Sequence, residues 1–448
     1  MLASKRTRTK ERDNMTRISE EFDENDCPNV VKRKRFSRDG GVLGENKLVL
    51  EELEKNNTDD DGSGNESSDS SLEPMPTEDS PLKQKSIQPV NNKQHLTTPD
   101  NKYALSSSFL RKRNGTENCH FDKLSDELLL IIFLKLPKVQ LCKLALVSKR
   151  WRRIAYDDSM WSRIDLGHKS LHPRNLEHVL KRGVRVLRLA GAAIPSPVIK
   201  PKSSYLIPNF VSKLEYLDLT MAQISAEGVA DIMRVCRNLK KLSLENCPLN
   251  LETCEQIGHN TDLEVLNLTS TTGIKSNGLE AILACCTKLI TLNISWTAMD
   301  QETLQTLSVT ICKSVKELNI SGCRKNLTDD HVKFILEKCP GLIQLDMSDC
   351  TSLTFKTLDN IVKNLKHLKD LGLSRCYNMS SSNFKSLTCI KSLTNLQIHG
   401  VLHDAVLKIL IADLKKANIV VNNCPFSTIG RPTVGCRKTS IWGEKVRE

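Results

Sequence analysis

The chain is poor in aromatic residues, which make up 4% of its 448 positions. It contains no run of 18 apolar residues able to cross a membrane, and no apolar leader of the secretory type is expected at its start. It lacks a G-x-x-x-x-G-K-S/T loop for nucleotide phosphates and an H-E-x-x-H helix for zinc hydrolysis. Its histidines, among them His331 and His399, are scattered, and none accompanies an evident nucleophile. No catalytic residue, cofactor or metal is therefore assigned, and no membrane partner is expected. The net charge of +12 is spread along the chain with few stacking platforms, so nucleic acid is not expected as a partner either. Sixteen cysteines without an export signal should be reduced thiols of the cytosol or nucleus.

What the chain does have is repetition. Nine times between Val184 and Ile398 it repeats an L-x-x-L-x-L phrase, with Val, Ile or Met admitted at the apolar positions. The phrases open at Val184, Leu214, Leu239, Leu263, Leu289, Val315, Leu342, Leu368 and Leu393; after a first gap of 30, the gaps run from 24 to 27 residues. That period is the signature of leucine-rich repeats, each one strand and one return helix, which present a long surface to a partner. In Leu342-Ile-Gln-Leu345-Asp-Met347, Leu345 and Met347 alternate inward as a half-buried strand requires.

Five residues beyond the second leucine stand Cys247, Cys323, Cys350 and Cys376, the place where such repeats take Asn or Cys; Thr297 fills it in another unit. Zinc ligands come paired at short spacing, so single cysteines one repeat apart point to a column of buried thiols. Helical spacing follows each strand, as in Gly278, Leu279, Ile282, Cys286 and Leu289, or Val332, Ile335, Leu336, Cys339 and Leu342. Ser, Thr or Asp often precedes it, as Thr328 does, ready to cap the free N–H groups. Two weaker phrases, Trp161-x-x-Ile164-x-Leu166 and Leu414-x-x-Ala417-x-Ile419, are expected to complete the stack. The expected fold is α/β: a right-handed solenoid arc with parallel strands inside and helices outside, preceded by a small all-α segment.

Four regions follow: a disordered arm over 1–117, a helical segment and linker over 118–166, repeats over 167–421 and a tail over 422–448. The arm includes Thr58-Asp-Asp-Asp-Gly-Ser-Gly-Asn-Glu-Ser-Ser-Asp-Ser-Ser71, which cannot bury enough apolar surface to offset its chain entropy. It also holds two basic clusters, Lys32-Arg33-Lys34-Arg35 and Arg111-Lys112-Arg113, suited to nuclear import or to solvation alone. Ser80-Pro81 and Thr98-Pro99 suit proline-directed phosphorylation. A nuclear and cytoplasmic distribution is expected.

Between Phe121 and Trp161 the chain changes character. Leu124-Ser-Asp-Glu-Leu128-Leu129-Leu-Ile-Ile132-Phe133-Leu-Lys-Leu136 reads as a helix, with Ser125 at its N-cap and Pro137 as its stop. Leu144-Ala-Leu-Val147-Ser-Lys-Arg150-Trp151 continues the apolar series. So few residues cannot hide so much leucine, and some of it must be buried against a neighbour. These residues resemble an F-box, with Ser125 where that family usually has proline. The resemblance implies docking to the Skp-type adaptor of a cullin ubiquitin ligase core, with Leu124, Leu128, Leu129, Ile132, Phe133, Leu144, Val147 and Trp151 as apolar anchors. F-box-like helices that merely cap a non-ligase repeat scaffold are the alternative.

The resemblance extends from Phe121 to Gly443. The tail, Val421-Asn-Asn-Cys-Pro-Phe-Ser-Thr-Ile429-Gly-Arg431-Pro-Thr-Val-Gly435 and Ile441-Trp442-Gly443, is similar to that of the cell-cycle branch of F-box and leucine-rich-repeat receptors. So are Ser321-Gly-Cys-Arg324-Lys-Asn-Leu327 and Leu373-Ser-Arg375-Cys-Tyr377. In that branch the tail folds back across the concave face. Residues flanking the buried cysteine position should turn outward, and in consecutive repeats these are Trp296, Arg324, Asp349, Arg375 and Tyr377. Such a composition suits an interface hot spot. The resemblance implies that this strip, with the tail, holds a small cyclin-dependent kinase regulatory subunit and a phosphorylated cyclin-dependent kinase inhibitor. Arg324 and Arg375 suit phosphate or carboxylate, and Asp349 a basic partner residue.

Overall fold

Each phrase forms a three-residue strand centred on its second leucine-type position. The computed structural model describes residues 120–173, 175–199, 210–422, 427–433 and 440–446; the arm, its basic clusters and its Ser-Pro and Thr-Pro sites lie outside them. The strands are β1 (Arg163–Asp165), β2 (Val186–Arg188), β3 (Tyr216–Asp218), β4 (Lys241–Ser243), β5 (Val265–Asn267) and β6 (Thr291–Asn293). They continue as β7 (Glu317–Asn319), β8 (Gln344–Asp346), β9 (Asp370–Gly372), β10 (Asn395–Gln397) and β11 (Val420–Asn422). All eleven pair in chain order, parallel, in one sheet. Leu217, Leu242, Leu266, Leu292, Leu318, Leu345, Leu371 and Leu396 stand opposite one another as a single column, each at most 1% exposed.

Parallel strands need a crossover, and helices supply it. Three helices precede the sheet: α1 (Asp126–Phe133), α2 (Lys138–Ala145) and α3 (Lys149–Ala155). The return helices are α4 (Asn175–Lys181), α5 (Ala226–Val235), α6 (Leu251–Gly258), α7 (Ser276–Cys285), α8 (Gln301–Thr310), α9 (Asp329–Lys338) and α10 (Phe355–Asn364). The last two are α11 (Ser381–Phe384) and α12 (Asp404–Lys415). Side-chain oxygens of Ser225, Asn250 and Asp300 accept from the N–H groups of Gly228, Thr253 and Thr303, and Thr328 closes a capping box with His331. Ser125 occupies the N-cap of α1 without making a capping bond.

From β1 to β10 each strand leads into a turn of one repeated form. Four residues beyond each strand centre the backbone is left-handed: His168, Gly191, Met221, Asn246, Ser270, Trp296, Gly322, Asp349, Arg375 and Gly400. From His168 to Arg375 the N–H of this residue donates to a carbonyl of the next unit, as from Trp296 to Ser321 at 2.9 Å, Asp349 to Ser374 at 2.8 Å and Arg375 to His399 at 2.8 Å. The following side chain is then driven inward. Cys247, Cys323, Cys350 and Cys376 are all buried there. Thr297 does the work of a thiol: its hydroxyl donates to the Ile294 carbonyl at 2.8 Å, as Cys323 Sγ donates to Ile320 at 3.1 Å.

One expected unit is displaced. The last strand is Val420–Asn422 rather than the residues of Leu414-x-x-Ala417-x-Ile419. Leu414 belongs to α12, and left-handed Asn418 ends that helix while the Ile419 N–H donates back to the Leu414 carbonyl at 3.1 Å. Only after this turn can the strand begin. At the other end, α1–α3 form a separate small core of Leu129, Phe133, Leu141, Ala145, Ile154 and Trp161, and Ile164 of β1 packs on both this core and that of the repeats.

Burial pushes the thiols of Cys247 and Cys376 up to about 12. Among the described cysteines, Cys285 and Cys389 are exposed. Mapping of alkylated peptides at pH 8 should therefore find rapid labelling at Cys285 and Cys389, with the buried columns reacting only in urea. Equal labelling of Cys350 in the folded chain would contradict the packing.

Candidate functional site

The eight apolar residues expected to face an adaptor divide into two sets. Leu129 and Phe133 are buried, and Leu124, Leu144 and Trp151 pack half-buried against them. Trp151 stands edge-on to both Phe121 and Phe133, ring centroids 5.4 Å away in each case. Asp126 pairs with Arg150 and Arg153 and so ties α1 to α3. These residues hold the bundle together. Leu128, Ile132 and Val147 instead face solvent, with Ile131, Leu134 and Leu146, at exposures between 41% and 62%. The helical period explains the division, since α1 is apolar on more of its circumference than so small a bundle can cover. Ile131, Leu134 and Leu146 escaped the family pattern, although the same excess of leucine and isoleucine contains them.

Trp296, Arg324, Asp349, Arg375 and Tyr377 converge on one groove of about 760 Å³, walled further by Gly322 and Asn326. It lies along the turns at the C-terminal ends of β6 to β9, not on the strand faces. Trp296, Asp349 and Arg375 are the left-handed turn residues of their units, and Arg324 and Tyr377 stand just beyond the buried cysteine of theirs. A β-branched or bulky side chain at such a φ is strained, and strain of this kind gathers at functional sites. The indole of Trp296 lies over the backbone of Gly322, where a Cβ would come within 2.5 Å of the ring, so glycine is required there. Asp349 and Arg375 meet in a bidentate pair that raises the arginine further above its usual range, through the hydrogen bond to Asp349 first. Arg324 makes no ion pair among the described residues and is exposed, free to meet an incoming anion.

A second, smaller cavity of about 320 Å³ adjoins the first and shares Trp296, Asp349 and Arg375 with it. Its floor is the strand faces, Asn319 and Asp346, and its lid is Ser427 and Arg431 of the tail. Further along, Asn293 Nδ2 donates to the Ile429 carbonyl at 2.7 Å, and left-handed Gly430 sits where a Cβ would be 3.2 Å from that of Asn293. Arg431 reaches Glu245 at 3.5 Å. Trp442 Nε1 donates to the Gly430 carbonyl at 3.2 Å, and Ile441 and Val446 bury against Val186. The described tail residues thus lie on the strand faces and run back from β8 toward β1.

Those faces carry a ladder that the sequence displays but the repeat pattern conceals. In four consecutive units the middle residue of the L-x-L is Asn267, Asn293, Asn319 and Asp346, and its side-chain oxygen accepts from the N–H two residues on, at 2.9 to 3.1 Å, as Asp218 does for Thr220 two units earlier. Asp346 follows three Asn in this run. Its carboxylate leans over Gly372, where a Cβ would fall 2.4 Å from Oδ1. Burial raises this carboxyl above its ordinary range, against hydrogen bonds from Ser348 and Ser427 that lower it.

With this geometry in view, comparison with known proteins is specific. A family model described as the SKP2 LRR domain matches residues 174–448, more than half of the chain. The chain belongs to that family. An F-box-like model matches residues 122–167. The chain is 26% identical over 293 residues to bovine F-box/LRR-repeat protein 4, covering 63% of this chain and 46% of that protein. It is 25% identical over 263 residues to putative F-box/LRR-repeat protein 9 of Arabidopsis thaliana, covering 58% of this chain and 98% of that one. The chain therefore spans about half the length of the bovine relative and nearly all of the plant one.

Asp346 can be tested against its own neighbours in the ladder. A carboxyl whose pKa is higher folded than unfolded binds its proton more tightly in the fold. Its contribution to stability is thus least favourable at neutral pH and improves as pH falls through the carboxylate range. Asp346→Asn keeps the accepting oxygen and removes the charge. It should raise Tm at pH 7, with the advantage shrinking toward pH 4; thermal unfolding of both proteins at the two pH values measures it. An unchanged Tm at pH 7 would refute the assignment.

Proposed function

We propose that the chain is the substrate-recognition subunit of a Skp–cullin–F-box ubiquitin ligase, a counterpart of S-phase kinase-associated protein 2. The observation that carries this is the apolar patch of Leu128, Ile131, Ile132, Leu134, Leu146 and Val147, left uncovered by a bundle that is otherwise complete. Apolar patches of this kind on a soluble domain mark an interaction site. The bundle meets the repeat core through Ile164, so capping alone leaves the patch without a use. The partner it suits is a Skp-type adaptor, which would bring the repeats and their cargo to the cullin core. The ligase gains rate from this chain by positioning the substrate, not by a reacting side chain.

The groove supports the finer assignment. An exposed tryptophan and tyrosine beside Arg324, which has no ion pair among the described residues, have the composition of a hot spot, and the Asp349–Arg375 pair offers a fixed fork of charge. We assign to it a cyclin-dependent kinase regulatory subunit, with a phosphorylated cyclin-dependent kinase inhibitor presented at the junction with Arg324. The inhibitor would then be ubiquitinated and degraded. A nuclear and cytoplasmic site of action, with import through the basic clusters of the arm, belongs to the same proposal.

Two measurements test these assignments separately. Leu128→Glu with Val147→Glu should abolish capture of the adaptor while Tm stays within a few degrees of the parent. Phe133→Ala should instead unfold the bundle, at a cost of about 3–5 kcal/mol. Retained capture by the folded double variant would overturn the ligase role. Trp296→Ala, titrated with the regulatory subunit in the presence of adaptor, should weaken binding by roughly 10- to 100-fold, as hot-spot truncations do. Undiminished affinity would remove the groove as its site.

A further inference from the structure

The solenoid ends differently at its two ends. At β1 the three-helix bundle covers the stack through Ile164, and the tail reaches it through an ion pair of Arg163 with Glu444 at 2.8 Å. At β11 no further strand pairs, so its outer backbone edge is open among the described residues. Val420 of that strand is 57% exposed. The last return helix, α12, buries Leu410 and Leu414 in the core, yet its other faces remain apolar, with Val406, Ile409 and Ile411 exposed. A helix apolar on most of its circumference is normally covered, and terminal repeats ordinarily turn a polar face outward. Two lysines on this face, Lys408 and Lys415, have no ion pair among the described residues.

Charge indicates what covers it. From Phe355 to Asn422 there are ten Lys and Arg against four Asp, half of the net +12 of the chain. From Leu48 to Asp79 there are eleven Asp and Glu against one Lys. That segment opens with Leu48-Val49-Leu50-Glu51-Glu52-Leu53-Glu54, four apolar residues interleaved with carboxylates, the complement of an apolar face set with lysines. Reach is sufficient. The 40 residues from Ser80 to Cys119 can span up to about 130 Å, whereas eleven strands at sheet spacing extend about 50 Å.

We propose that the segment Leu48–Asp61 docks in cis on α12 and the open edge of β11, as the terminal cap of the repeat stack. Its leucines and valine cover Val406, Ile409 and Val420, and its carboxylates face Lys408 and Lys415. Because part of the attraction is between surface charges, it weakens with salt.

Hydrogen exchange on the full-length chain tests this. The comparison is with a variant in which Glu51, Glu52, Glu54 and Asp59–Asp61 become Gln or Asn, changes outside the folded repeats. Amides of α12 and β11 should exchange at least tenfold faster in the variant, and the parent should approach that rate in 0.5 M NaCl. A second pair, Lys408→Glu with Lys415→Glu, should lose the protection, and Glu51→Lys with Glu54→Lys added to it should restore it. Equal protection in parent and neutralised chain overturns the proposal. So does protection that rises with protein concentration together with a dimer mass, which would assign the face to a second copy.

Discussion

One backbone bond recurs through the molecule and sets the place of everything else. The N–H of the left-handed turn residue in each unit donates to a carbonyl of the next, from His168 to Ala190 at one end and from Arg375 to His399 near the other. Together with the parallel strand ladder, it holds consecutive units at the spacing of a sheet. A side chain on the turn is therefore repeated about every 26 residues along the chain and at strand spacing in space. Trp296, Asp349 and Arg375 line one groove for this reason, although 79 residues separate the first from the last. The same turn drives the next side chain inward and excludes the buried thiols from chemistry.

Much of this was legible. The phrase spacing placed nine strands, because a leucine column needs strict period and a strict period is visible. Trp296, Arg324, Asp349, Arg375 and Tyr377 were legible by their offset from the buried cysteine, and the structure brings them to one groove. What escaped was of a different kind. Leu414 to Ile419 has the right letters for a strand but follows an apolar helix, and the helix took the leucine first. The Asn and Asp ladder was written in the middle of four consecutive L-x-L phrases, yet leucine spacing draws attention away from the residue between. That Asp349 and Arg375 pair with each other, and are not each left free for a partner, depends on side-chain reach across two units, which spacing does not encode.

The helical segment shows where a pattern reaches its limit. A motif marks Phe133 and Leu128 alike, yet one is 2% and the other 49% exposed. Their separation of five residues places them on different faces of α1, and only the packing of α3 through Trp151 decides which face is inside. The bundle and the repeats keep distinct cores joined at Ile164.

The tail changes how the stack comes apart. A linear array with contacts only between neighbours frays from its ends, one unit at a time. Here residues from beyond the last strand press on Asn293 and bury Ile441 against Val186, which joins late chain to early units as a string joins the limbs of a bow. Opening the first strands then requires release of the tail, and the tail is held along the middle of the arc. Loss of structure at the N-terminal end and in the middle becomes one cooperative event, and the inner face from β1 to β8 opens as a unit. A repeat stack closed this way exposes the strand faces beneath the tail together and not unit by unit.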